Sequence, residues 1–274
     1  MQNGLKNSLL SITLLGSLSC VWAESKVVAS FAFVGMVMDY REYSNDGTIL
    51  DSEKSTLNEI LGLDLGLGFL LDETRNDYSY LDFHLMRLGG ETDYKGSLHG
   101  SNAGYGSYIS TTLNAVIDTD VTYMYHNILS DSLEISCGLG LGYRYWERQL
   151  SVSQIELYEW FSLRPKVGVM YSLSHELRFA LDLEYQYGIN PTMSESYYGL
   201  DFDLGAADIL KVSVPVTYRY SSTMDFFAEG VYERQEIEIS DIKTIVENGI
   251  VTNSHEPDST SNNIYLKLGF IYKY

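Results

Sequence analysis

The stretch NNIYLKLGFIYKY, residues 262–274, carries an apolar or aromatic side chain at every second position. Tyr274, Tyr272, Phe270, Leu268, Leu266 and Ile264 fall on one face of an extended strand, because strand side chains alternate with period two. Lys273, Ile271, Gly269, Lys267 and Tyr265 fall on the other. One face suits hydrocarbon and the other a mixed, partly charged interior. A strand of a soluble sandwich has the same alternation, so the rest of the chain must decide.

The other end of the chain narrows the choice. MQNGLKNSLLSITLLGSLSCVWA has a polar start with Lys6, an apolar run from Leu9 to Leu18 and a small residue at Ala23. That is the layout of a cleavable export signal, and it is too short for a spanning helix. We therefore expect residues 1–23 to be removed and residues 24–274 to form one domain. Ser17 stands where a lipidation site wants Leu, so lipid attachment at Cys20 is not expected.

Composition excludes several classes. The net charge is −19, and removal of the signal, which carries only Lys6, takes it to −20. Phosphate backbones require clustered Lys and Arg, so nucleic acid is a poor partner. After cleavage only Cys137 remains, which rules out an internal disulfide and any Cys/His zinc pattern. No cofactor motif and no calcium-loop spacing occurs. The chain has 23 Tyr, 23 Gly and only four Pro, which suits many long strands.

Ten alternating segments recur, at about 26–40, 57–71, 78–89, 108–125, 133–148, 158–172, 177–188, 208–220, 226–239 and 263–274. DETRND, HNILSDS, SLSH and SSTMD connect some of them. Residues 41–56, 90–107, 149–157, 189–207 and 240–262 read as longer polar loops. Outward-facing Tyr123, Tyr125, Tyr171, Tyr218, Tyr220, Tyr272 and Tyr274 gather near the short-turn end. Tyr143, Tyr145, Tyr185, Tyr187 and Tyr232 gather near the long-loop end, with aliphatics between. A bilayer sorts Tyr by height in this way, because the ring sits well at the headgroup level. A sandwich has no reason to.

These features resemble the outer-membrane β-barrels of Gram-negative bacteria, whose final strand typically ends in an aromatic residue read during barrel insertion. The resemblance implies an all-β, transmembrane, antiparallel up-and-down barrel of ten strands, with short periplasmic turns and long extracellular loops. It implies contact with outer-membrane lipid and lipopolysaccharide and recognition of the last strand by the insertion machinery. The parity of the first strand is open, since Phe31 and Phe33 compete with Val34, Met36 and Met38 for the lipid side.

The inward faces are charged. Turn symmetry sets Arg164 and Lys166 beside Asp182 and Glu184, and brings Lys211 to Glu184 from the other side. It sets Glu229 near Arg219 and Lys273, and Asp64 opposite His84 with Asp82 two residues away; Arg144 also points inward. A paired network bracing the lumen is the expectation, because buried charges must be paired to be tolerated. Inward glycines at 62, 66, 68, 138, 140 and 142 are expected to make space for Tyr80, Met86 or Trp160.

Ten strands, this length and long loops also resemble the omptin proteases in architecture. That family's site implies an Asp pair facing an Asp/His pair around a water. Here Asp93 and His99 lack an Asp-x-Asp, and Asp201 and Asp203 have no His beside them. Asp82 and His84 lie midway along a strand, where a structural histidine is the expectation, and no Gly-x-Ser-x-Gly elbow occurs. No catalytic residue is assigned. The acidic loops, as in SESYYGLDFD, interleave Tyr with carboxylates and leave room for a surface ligand. The expected role is structural or surface-binding; the competing reading is a narrow channel for small solutes or ions, and a third is an omptin-like hydrolase.

Overall fold

A computed structural model describes residues 27–97, 104–247 and 250–274. The expected signal, residues 1–23 with Cys20, and His99 lie outside them.

The described residues form fourteen strands and no helix. In chain order these are β1 (Val27–Tyr43), β2 (Ile49–Lys54), β3 (Ile60–Glu73), β4 (Asp77–Gly96), β5 (Tyr108–Ile128), β6 (Leu133–Gln149) and β7 (Ile155–Ser172). They continue as β8 (Leu177–Glu195), β9 (Leu200–Asp203), β10 (Ala207–Arg219), β11 (Met224–Ile237), β12 (Lys243–Glu247), β13 (Ile250–Ser254) and β14 (Asp258–Lys273). Ten of them close a barrel in the order β1–β3–β4–β5–β6–β7–β8–β10–β11–β14, every neighbour antiparallel. The opening stretch is part of β14, and it seals the barrel against β1 from Val28↔Lys273 to Tyr43↔Asp258. Closure leaves no strand edge in hydrocarbon, where an unpaired backbone group costs several kcal/mol.

All ten expected strands are present, and most run further than their hydropathy does. At the long-loop end β2 bridges β1 and β4, β9 pairs with β8, and β12 and β13 form a separate hairpin. These four strands lie in stretches read as loops, where polar sequence hides the alternation. Residues 149–157 are not a long loop. Ser151 Oγ accepts the amides of Ser153 and Gln154, the same hydroxyl-capped turn that Ser130, Ser174 and Ser221 make at the opposite end. Leu57 precedes β3 rather than starting its lipid face.

The lipid face follows the sequence. Leu61, Leu63, Leu65 and Leu67 on β3 and Leu139 and Leu141 on β6 are exposed, flanked by exposed Tyr123, Tyr171, Tyr218 and Tyr272 below and Tyr185, Tyr187 and Tyr232 above. On β1 the ambiguity resolves: Phe33 is 66% exposed, whereas Val34, Met36 and Met38 are at most 3% exposed. The branched and thioether chains are needed inside, because they pack with Ile60, Leu88, Val116, Trp146, Trp160, Met193 and Ile209 into one buried cluster. That cluster fills the lumen toward the long-loop end. Phe202 and Leu204, from a stretch read as a loop, complete it.

Candidate functional site in the barrel lumen

Charge in the lumen falls into three tiers. The middle tier is a strut across the barrel. Arg144 on β6 holds Glu233 on β11 at 2.9 Å and Asp118 on β5 at 3.2 Å. Lys211 on β10 sits 3.3 Å from both of those carboxylates. Arg164 on β7 reaches Asp118 at 2.6 Å and Asp120 at 3.3 Å. Asp118 and Glu233 are fully buried, and charge at that depth persists only when paired in this way.

Arg164 thus pairs with β5 and not with Asp182, as turn symmetry had it. The reason is the glycine corridor on the strand between: Arg164 is registered with Gly140, and a Cβ on Gly142 would overlap its guanidinium. With no side chain on β6 in the way, Arg164 lies across that strand. The inward glycines therefore make space for Arg164, Met124 and Asp82 rather than for Trp160.

Below the strut, Lys166 bridges Asp120 at 3.2 Å and Glu184 at 2.9 Å. Lys211 is 4.0 Å from Glu184. His84 lies between Asp64 at 2.7 Å and Asp120 at 3.4 Å, and Lys267 holds Asp64 from the far side at 2.7 Å. Glu229 pairs with Lys267 at 3.5 Å, its register partner, and not with Arg219 or Lys273. Lys273 instead holds Asp225 at 2.7 Å, together with Arg178 at 2.8 Å, and Arg219 is exposed at the end of β10. Asp82 and Asp182 have no hydrogen bond or ion pair among the described residues.

The third tier lies above the upper Tyr girdle. Arg148, wholly buried, holds Glu42, Glu53 and Glu156, each at 2.8 Å. Its guanidinium stacks 4.3 Å from the Tyr40 ring, and Tyr158 donates to Glu256. Burial, and then the Glu156 and Glu42 charges, push the Glu256 carboxyl well above its ordinary value. Burial, reinforced by Glu42, pushes Asp51 on β2 up to about 7. Glu42, Glu156 and Glu256 bring carboxylate oxygens within 4.8 Å of one another, close enough to be weighed as a cation site, yet Arg148 and Tyr158 already occupy them.

Sequence reading missed this tier and the central Asp118 and Glu233. The signal was available: Arg148 shares parity with Arg144, and Asp118 with Asp120, on strands whose inward face was known. What could not be read is which strand each long side chain crosses to.

Between the strut and the short-turn end lies a chamber of about 580 Å³. Its inner end is Met86, Val231 and Tyr265, members of the buried cluster, and its outer end is Val28, Tyr78, Arg178 and Lys273 at the strand ends.

The chain is similar in structure to the outer-membrane protease OmpT of Escherichia coli. The identity is 10% and the TM-score 0.55, with 91% of this chain and 96% of that chain covered. The fold is an omptin-like outer-membrane β-barrel. The translocator domain of the autotransporter NalP from Neisseria meningitidis (11% identity, TM-score 0.46, covering 94% of this chain and 91% of that one) is also similar. So is the outer membrane protein OprG from Pseudomonas aeruginosa (11%, TM-score 0.39, covering 91% and 95%). At those scores neither adds to the assignment. No family model and no curated protein matches the sequence.

In an outer-membrane barrel the short-turn end is periplasmic and the long-loop end extracellular. The residues weighed for hydrolysis are scattered. His84 is locked between two carboxylates inside the lumen, Asp93 faces outward on β4, and Asp201 accepts from Ser194 on the β8–β9 hairpin.

Proposed function

We propose that this barrel is a non-enzymatic protein of a Gram-negative outer membrane, in contact with lipid and lipopolysaccharide, whose role is structural or binding and whose lumen passes no solute. One observation carries the reading. Three large aromatic side chains, Trp146, Tyr158 and Trp160, and three guanidinium groups, Arg144, Arg148 and Arg164, are at most 2% exposed from the middle of the lumen to its extracellular end. A ten-stranded barrel is narrow enough for side chains to fill, and a plug that is both apolar and ionically cross-braced leaves no hydrated path. Tyr274, at the end of the sealing strand, suits recognition by the insertion machinery.

The test is planar-bilayer conductance of the refolded chain, residues 24–274. A correctly folded barrel that stays silent supports the reading. Reproducible unitary steps restore the channel reading.

Binding at the surface is best tested on the β12–β13 hairpin, which forms its own sheet. Deleting residues 243–254 is expected to leave the barrel folded and to remove binding to a surface partner. Deleting 189–207 is uninformative, because Met193, Phe202 and Leu204 belong to the plug.

A further inference from the structure

The periplasmic chamber has unequal chemistry. All five of its lysines and arginines are engaged: Lys166 by Asp120 and Glu184, Lys211 by Asp118 and Glu233, Lys267 by Asp64 and Glu229, and Arg178 and Lys273 by Asp225. Two carboxylates of the wall, Asp82 and Asp182, have no partner among the described residues. Asp225, wholly buried, also lines the chamber; its Oδ2 is held by Arg178 and Lys273, while its Oδ1 receives no hydrogen bond and the Arg178 Nε makes none. Asp82 and Asp182 are half-buried and line the chamber, and carboxylates left there without a donor make its wall complementary to something positive that donates.

The chamber also offers aromatic faces. Tyr78 stacks on His126 at 4.5 Å between centroids, and Tyr80 meets both edge-on at 5.7 and 6.3 Å. Ring faces beside carboxylates are the surroundings an organic ammonium group prefers over a bare metal ion. A volume of about 580 Å³ is within the range of small-molecule sites.

We propose that the chamber binds a small organic amine from the periplasmic side, its ammonium groups held by Asp82 and Asp182 and its carbon chain lying along Tyr80. This rests on the sealed-lumen reading, since a continuous pore would leave no closed chamber.

The experiment is isothermal titration of the refolded, detergent-solubilised barrel with putrescine, with butanediol and succinate as neutral and anionic counterparts of similar length. Putrescine is expected to bind and the other two are not. Asp82→Asn and Asp182→Asn, nearly isosteric, are each expected to raise its Kd about tenfold or more, as loss of a charge-assisted hydrogen bond does. Both variants are expected to keep the heat-modifiable gel mobility of a folded barrel, because each removes an unpaired charge. Absence of putrescine binding, equal binding of succinate, or unchanged affinity in both variants overturns the proposal. Conductance separates the two readings: a silent barrel that ignores putrescine overturns only the amine site, whereas a conducting barrel overturns the seal.

Discussion

Arg148 is the residue on which the extracellular cap depends. Three carboxylates from β1, β2 and β7 converge on a single guanidinium that is itself 0% exposed. Arg148→Met is therefore expected to leave an uncompensated buried charge and to cost about 3–5 kcal/mol of local stability. Hydrogen exchange should show it as faster opening of β2 and the top of β7, with the membrane-embedded strands unchanged. The same cap should respond to pH. Asp51 and Glu256 have folded pKa values raised above the ordinary carboxyl value of about 4, Asp51 to about 7. A raised pKa means that the folded cap holds protons the unfolded chain has released. Stability is thus gained as pH falls through about 7 and lost as it rises. Limited proteolysis of the cap should be slower at about pH 5 than at about pH 8, and the reverse order would refute the assignment.

At the scale of the element, the inward glycines set how closely strands and side chains cross. On β3 a Cβ at Gly62 would overlap the backbone carbonyl of Arg87 on β4, and no rotamer change relieves a clash with backbone. On β11 a Cβ at Gly230 would meet nothing within 4 Å. Gly62→Ala is accordingly expected to lower the urea midpoint of refolded barrel or to prevent folding, while Gly230→Ala is expected to be neutral. The turns are a second device of this kind. Ser at the first turn position receives two backbone amides in the 130, 151 and 174 turns and one in the 221 turn, with Thr74 receiving two between β3 and β4. That repeat was in the sequence, and reading it would have shown that residues 150–154 form a tight turn.

At the scale of the whole molecule, the barrel is two unlike compartments in one wall. The extracellular half is packed shut and the periplasmic half is a polar chamber. Replacing two of the largest plug members, as in Trp146→Ala with Trp160→Ala, is expected to remove enough volume for water to cross. The double variant should then show discrete conductance steps in a planar bilayer where the parent shows none. Continued silence in a folded double variant would mean that the Arg144, Arg164 and Lys211 strut closes the lumen by itself.

The sequence alone determined the barrel, its strand number, its inward and outward faces and the height of its Tyr girdles. Each of these is a local, period-two property that a bilayer enforces residue by residue. The sequence also announced that the lumen is charged, and it named His84 with Asp64 and Lys166 with Glu184, which neighbouring strands bring together. Only the tertiary structure decided that Arg164 crosses β6 to Asp118, that Arg144 spans the lumen to Glu233, and that Arg148 gathers Glu42, Glu53 and Glu156. Those contacts join strands far apart in the chain through long side chains, so their partners depend on strand tilt, on closure and on where glycines leave the wall bare.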